Sequence, residues 1–182
     1  MTTALLIIDL QNDYFPGGAM ELVGADAAAA NAARLLKHFR ARALPVFHVQ
    51  HLSTRPGATF FLPDTRGAEI HAAVKPAAGE SVTVKHFPNC FRETALLEAL
   101  RAQQVSTLVV AGMMTHMCVD TTVRAAADLG FACQLAADAC ATRDLVFNGE
   151  KVEAKNVQLA YLAGLNGLFA AVQPTEKLCA AG

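Results

Sequence analysis

Apolar runs of strand length alternate with helical stretches along the whole chain, and this restricts the fold more than any other feature. The runs are "ALLIID" (4–9), "PVFHVQ" (45–50), "SVTVK" (81–85), "STLVVAG" (106–112), "FACQLAA" (131–137) and "GLFAAV" (167–172). Helical patterns occupy 25–42, 93–104, 119–129 and 150–164. Strands that are apolar throughout, rather than at every second residue, are buried on both faces. The pattern therefore predicts an α/β fold in which helices cover both sides of a parallel sheet. With 182 residues, 53% of them hydrophobic, a single domain over 1–182 has enough material for its own core.

Charge excludes several kinds of partner. Fifteen basic residues oppose sixteen acidic ones with no basic run, so neither a nucleic acid nor an anionic membrane is expected to bind. The start, Met1-Thr2-Thr3 followed by an apolar run closed by Asp9, lacks the basic region and cleavage site of a signal peptide. No apolar stretch is long enough to span a bilayer, and a cytoplasmic location is expected. Five cysteines, at 90, 118, 133, 140 and 179, make an odd count without a C-x-x-C pair. That argues against a disulfide framework and a zinc knuckle alike. Cys133 and Cys140 read as small buried apolar residues and Cys179 as incidental in a small-residue tail.

One connection is long. Residues 52–80 carry Pro56, Gly57, Pro63, Gly67, Pro76 and Gly79, yet also Phe60-Phe61-Leu62. Such a segment is a lid, a pocket wall, a subunit contact or a loop folded on its own core.

Three residues with chemical potential fall at carboxyl ends of strands, where open parallel sheets bind ligands. Asp9 ends the first strand, Lys85 the third, and Cys118 follows the fourth by one turn. Singly, each has a structural alternative: a turn cap, a solvated edge charge, a packing thiol. Together they make an acid/base and nucleophile set. The carboxylate accepts the thiol proton as sulfur attacks a carbonyl carbon, and returns it to the departing amine. The lysine ammonium and the nearby helix start are expected to lower the thiol pKa and hold it as thiolate. Backbone N–H groups of Met114 and Cys118 are the expected donors to the oxyanion.

The segments "LLIIDLQNDYF" (5–15), "FLPDTRGAEIH" (61–71), "KHFPNCF" (85–91), "GMMTHMCVDTTVRAAADLG" (112–130) and "DACAT" (138–142) together resemble the isochorismatase-like cysteine hydrolases, which include nicotinamidases and N-carbamoylsarcosine amidases. The resemblance implies a three-layer, Rossmann-like α/β/α sandwich with a six-stranded, mostly parallel sheet. It maps a catalytic triad onto Asp9, Lys85 and Cys118, and implies a cis peptide between Met113 and Met114. Gln11, Phe15, Thr115 and His116 fall where relatives line the pocket. Self-association, common among relatives, is expected through the Phe60-Phe61 loop and the Ala-rich helix at 123–128.

Two departures narrow the reading. Metal-binding nicotinamidases resemble one another in a D-x-H pair, whose positions here hold His51 and Ser53 in "HVQHLS" (48–53). His48 and His51, three apart on an extended segment, point to opposite faces, a poor start for chelation. No metal and no cofactor are expected, and nicotinamide is weakened as substrate. Cys90 stands where the family's K-x-x-x-S-A-F pattern has serine, and reads as a small-residue replacement.

The expected function is a metal-independent amidohydrolase that cleaves a C–N bond of a small molecule through a thioester at Cys118. Two alternatives remain. One is isochorismatase-type vinyl-ether cleavage with Asp9 as acid and the thiol a bystander. The other is a non-catalytic thiol protein, either a redox sensor or a binding module.

Overall fold

The structure, a computed structural model, describes residues 2–180. Along the chain come β1 (Thr2–Ile8), α1 (Ala25–Ala41), β2 (Val46–His51), β3 (Ser81–Lys85), α2 (Leu96–Ala102), β4 (Val105–Met113), α3 (Asp120–Asp128), β5 (Ala132–Ala141), β6 (Leu145–Phe147), β7 (Glu150–Val152), α4 (Ala154–Leu165), β8 (Ala171–Gln173) and α5 (Thr175–Ala180). Six strands form one sheet in the order β3-β2-β1-β4-β5-β8, with every pairing parallel.

Side-chain alternation along the central strand divides the core into two layers. Leu5 and Ile7 of β1 pack in a cluster with Ala28, Ala32, Leu35 and Phe39 of α1 and Leu178 of α5. Ala4, Leu6 and Ile8 belong to the opposite cluster, with Leu96 and Leu100 of α2 and Val123 and Ala126 of α3. The buried residues of α1 (25, 28, 29, 32, 35, 36 and 39) trace the three- and four-residue stripe of a helix with one apolar face. The expected α/β/α sandwich is the observed fold.

Element boundaries differ where local chemistry intervenes. The fourth helix begins at Ala154, not 150, because Glu150–Val152 pairs antiparallel with Leu145–Phe147. The turn between them is Asn148-Gly149, both at positive φ (51° and 81°), the backbone that an Asn-Gly hairpin turn favours. The last sheet strand is Ala171–Gln173 rather than 167–172, since Gly167 takes φ 94° in the preceding turn. The segment read as a tail forms α5, and its Leu178 is buried beside α1.

The surface expected to mediate self-association is largely inside: Phe61 is buried and Phe60 partly so, and Val123 and Ala126 are core residues. The most exposed large apolar residues are elsewhere, with Val146 and Phe147 on the β6–β7 hairpin, Leu159 on α4 and Leu168 after it. No helix among the described residues is long and apolar enough to cross a membrane.

The sheet order turns back between β1 and β4. Strands on either side of that line are connected in opposite directions, which opens a crevice beyond their carboxyl ends. Asp9 leaves β1 there, and the turn carrying Cys118 leaves β4 there.

Candidate active site

Asp9 follows β1 in a left-handed conformation (φ 52°), which aspartate tolerates better than most side chains. Its N–H donates to Val49 O (3.1 Å) and its carbonyl accepts from Gln11 N–H (3.0 Å), so the backbone is held from both sides. Lys85 ends β3 in register with His51 at the end of β2. Cys118 lies in a π-helical turn, Thr115–Val119, ahead of α3 rather than inside it. The N–H groups of Met117 and Val119, on either side of Cys118, both donate to Met114 O, at 3.0 and 3.2 Å. The Met113–Met114 peptide is cis.

These three strand ends bring their side chains together in the interior. Lys85 Nζ stands 2.7 Å from Asp9 Oδ2 and 3.3 Å from Cys118 Sγ. It also donates to Phe87 O (3.1 Å) and to His51 Nδ1 (2.9 Å). Asp9, Lys85 and Cys118 are all buried. Among the described residues, no donor other than the Lys85 ammonium and the Cys118 thiol faces the Asp9 carboxylate.

Burial sets the protonation states. The Asp9 carboxyl is raised above its ordinary range by desolvation, against the opposing pull of Lys85. Burial also disfavours the Lys85 charge, but Asp9 and Cys118 outweigh it and hold the ammonium above the usual lysine range. The Cys118 thiol is pushed well up, first by burial and then by the Asp9 charge, with Lys85 offsetting only part. These directions run against a resting thiolate: burial favours the neutral thiol, while Lys85 favours the ionised carboxylate beside it. His51 falls to about 3 through burial and the charge of Lys85, so it is neutral and its Nδ1 accepts from Nζ.

Asp9, His51 and Cys118 place one donor atom each within 4.8 Å of one another, the spacing of a metal-ligand group. Lys85 Nζ lies in contact with all three residues.

A cavity of about 310 Å³ opens above Cys118. Tyr14, Phe60, Phe61, Phe87, Met114 and Met117 form its apolar walls, while His51, Ser53, Arg55, His86 and Arg143 supply the polar ones. The long connection is thus a pocket wall. Asp13 secures it, with Oδ2 accepting from Phe61 N–H (2.6 Å) and Oδ1 from Ala19 N–H (3.2 Å). Gly67 packs directly on that carboxylate, where a Cβ would collide with it.

The four residues expected to line the pocket lie outside this cavity. Gln11 spends its amide on His51 N–H, His51 O and Ala68 O, tying the end of β2 to the long connection. Phe15 stacks on His71 with ring centroids 3.7 Å apart. Thr115 donates to Ala141 O, and His116 pairs with Thr142 Oγ1 at 2.6 Å against the edge of Tyr161. Cys90 is buried behind the cluster, its N–H on Thr122 Oγ1, and burial pushes its thiol to about 12. Residues that the sequence left unread are Tyr14 and Phe87 of the wall, His51 as partner of Lys85, and the arginines; Phe60 and Phe61 belong to the connection for which a pocket wall was one expectation. The signal for His51 was its position at a strand's carboxyl end; the arginines, on loops far apart in the chain, carried none.

Residues 3–176 match the family model of the isochorismatase domain. An uncharacterised isochorismatase family protein of Bacillus subtilis, YddQ, is 52% identical over 176 residues, which cover 97% of this chain and 98% of that one. The nicotinamidase of Escherichia coli is 29% identical over 174 residues, with 75% of this chain and 82% of that protein covered. A crystal structure of an Oleispira antarctica chain superposes with a TM-score of 0.95 at 48% identity, covering 99% of this chain and 97% of that one. The chain belongs to the isochorismatase family and is a hydrolase of that family.

Proposed function

We propose that the protein is a cysteine amidohydrolase that opens a C–N bond of a small molecule through a thioester on Cys118. The observation that carries this reading is the contact of one buried ammonium with both the Asp9 carboxylate and the Cys118 sulfur, beneath a cavity. Similarity to a protein named nicotinamidase supports an amide as the bond attacked.

As Sγ forms its bond to the carbonyl carbon, the thiol proton passes to Asp9 and the carbonyl electron pair moves onto oxygen. That oxyanion accepts from the Met114 and Cys118 N–H groups; losing one such donor typically costs about 3 kcal/mol of barrier. The C–N bond then breaks, with the proton on Asp9 going to the departing nitrogen and an acyl thioester left behind. Water enters, gives a proton to Asp9 and attacks the same carbon; collapse releases the carboxylic acid and restores the thiol. Lys85 holds carboxylate and sulfur in place and keeps Asp9 ionised against its burial. The reaction needs no metal in this reading, because the Lys85 ammonium already contacts all three donor residues.

The test is turnover of a panel of small primary amides by wild type, Cys118→Ala and Asp9→Asn. Wild-type hydrolysis that falls by at least about 10³-fold in both variants is expected. Full activity in Cys118→Ala overturns the thioester route and favours ether-type chemistry at Asp9.

A further inference from the structure

His51 ends β2 with its main chain clamped and its ring held from two sides. Gln11 accepts from its N–H (2.7 Å) and donates to its carbonyl (2.9 Å), which fixes the backbone that carries the ring. The imidazole leans on Phe61, with ring centroids 5.9 Å apart, while Nδ1 meets Lys85 Nζ at 2.9 Å. One ring nitrogen lies within 4.8 Å of a ligating atom of both Asp9 and Cys118, so the ring borders the reacting centre, and it also lines the cavity above it.

The ammonium decides where the imidazole proton sits. Lys85 only donates, so Nδ1 presents its lone pair, and the single proton of a neutral ring then resides on Nε2. Burial and the Lys85 charge, which bring His51 to about 3, exclude the imidazolium at ordinary pH. Among the described residues Nε2 makes no hydrogen bond within the chain and is not sealed from the cavity. Carrying its proton there, that nitrogen cannot take one from a thiol or a water. It can only donate.

We propose that His51 is a specificity residue whose Nε2–H donates to a second carbonyl oxygen of the substrate, beside the amide that Cys118 attacks. This rests on the amidohydrolase reading and adds the substrate class, a small amide with a further neutral acceptor. A neutral imidazole offers one N–H in one direction, which suits a single carbonyl lone pair, and the nearby Asp9 charge disfavours an anion at this end of the cavity. An amide with that acceptor fills the cavity and keeps Nε2–H bonded. One without it displaces solvent and leaves the donor unpaired beside Tyr14, Phe60, Phe61 and Phe87. A site built around a donor rejects the analogue that cannot accept from it.

The experiment pairs neutral primary amides with and without the second carbonyl: acetoacetamide against butanamide, levulinamide against pentanamide, and 3-acetylbenzamide against 3-ethylbenzamide. kcat/KM is measured for wild type, His51→Asn and His51→Gln. The Asn oxygen can still accept from Lys85 near the Nδ1 position but no donor reaches Nε2; the Gln amide N–H reaches Nε2 but leaves Lys85 without its acceptor. In wild type at least one oxo member is expected to exceed its partner by about tenfold or more. That ratio falls at least about tenfold in His51→Asn, whereas His51→Gln keeps it while kcat drops for both members. Intrinsic reactivity of the oxo amides cancels in the comparison between proteins. Equal treatment of both members by wild type, or a ratio that survives in His51→Asn, overturns the proposal. Nitrogen-15 NMR of the His51 ring reads the tautomer independently of turnover: protonation at Nε2 alone between pH 5 and 9 is expected, and an Nδ1–H tautomer or an imidazolium in that range overturns it. If no amide turns over, the hydrolase reading fails on its own, and binding of acetophenone against ethylbenzene decides this donor. Tighter binding of acetophenone that is lost in His51→Asn supports it; equal binding of the two rejects it.

Discussion

At the residue scale, the site is governed by the cost of placing three ionisable groups out of water together. The Lys85–Asp9 pair is stable because each charge is the other's replacement for solvent, and removing one partner strands the other. Asp9→Ala is therefore expected to lower unfolding free energy by about 3–5 kcal/mol, read from urea titration. A change within 0.5 kcal/mol means the pair is not desolvated as described. Burial also sets the pH profile. Asp9 must be ionised to accept the thiol proton, and its pKa lies above the ordinary 3.8. The rate is thus lost as pH falls through a value higher than that. Cys118, raised well above the ordinary thiol value of 9.0, is expected to resist iodoacetamide at pH 7 and to react faster as pH rises. Rapid alkylation at pH 6 contradicts a neutral resting thiol. Asp9, Lys85 and Cys118 were legible in the sequence because strand ends are legible. The protonation state of sulfur was not, since helix-start and lysine effects can be named from sequence while depth of burial cannot.

At the element scale, the site depends on how closely β4 approaches β1. Gly112, paired with Ile8 at the strand end, has φ 151°, and a Cβ there would strike the Ile8 carbonyl oxygen. Gly112→Ala is expected to push the two strands apart just before the Met114 turn. A loss of about 1–3 kcal/mol in stability should accompany a fall in kcat larger than the change in KM. Wild-type kinetics in that variant would show that the turn is positioned from elsewhere. The strands themselves were readable because apolar runs of five to seven residues between Gly and polar breaks leave few alternatives. The β6–β7 hairpin was missed although Asn148-Gly149 announces it, because its exposed residues Val146, Phe147 and Lys151 lack a buried face to mark a strand. Of the cavity wall only the Phe60-Phe61 connection was readable, as one option among several, because Tyr14, Phe61, Phe87 and Arg143 meet only once four separate connections have folded over the same sheet edge.

At the scale of the whole molecule, chemistry is concentrated at the carboxyl edge of the sheet, and the remaining ionic contacts serve the scaffold. Glu80 joins Arg40 of α1 at 2.7 Å and His48 of β2 at 2.9 Å, linking the long connection to one helix and to the sheet. Arg40 lowers the Glu80 carboxyl from 4.5 to about 2, aided by the Ala77 N–H and His48. A depressed folded pKa contributes stability that is complete above 4.5 and disappears as pH falls through about 2. Glu80→Gln is accordingly expected to lower Tm at pH 7 by at most about 4 °C, since Arg40 is exposed enough for solvent to screen the pair. The difference from wild type should shrink between pH 4.5 and 2, and a constant difference would assign it to packing instead. The central claim, that a buried thiol becomes a covalent attacker by yielding its proton to Asp9, is tested most directly by intact-protein mass spectrometry of rapidly quenched turnover with an accepted amide. The account predicts an acyl-sized mass increase that maps to Cys118 and is absent from Cys118→Ala. Turnover that proceeds with no adduct on sulfur at any quench time contradicts it.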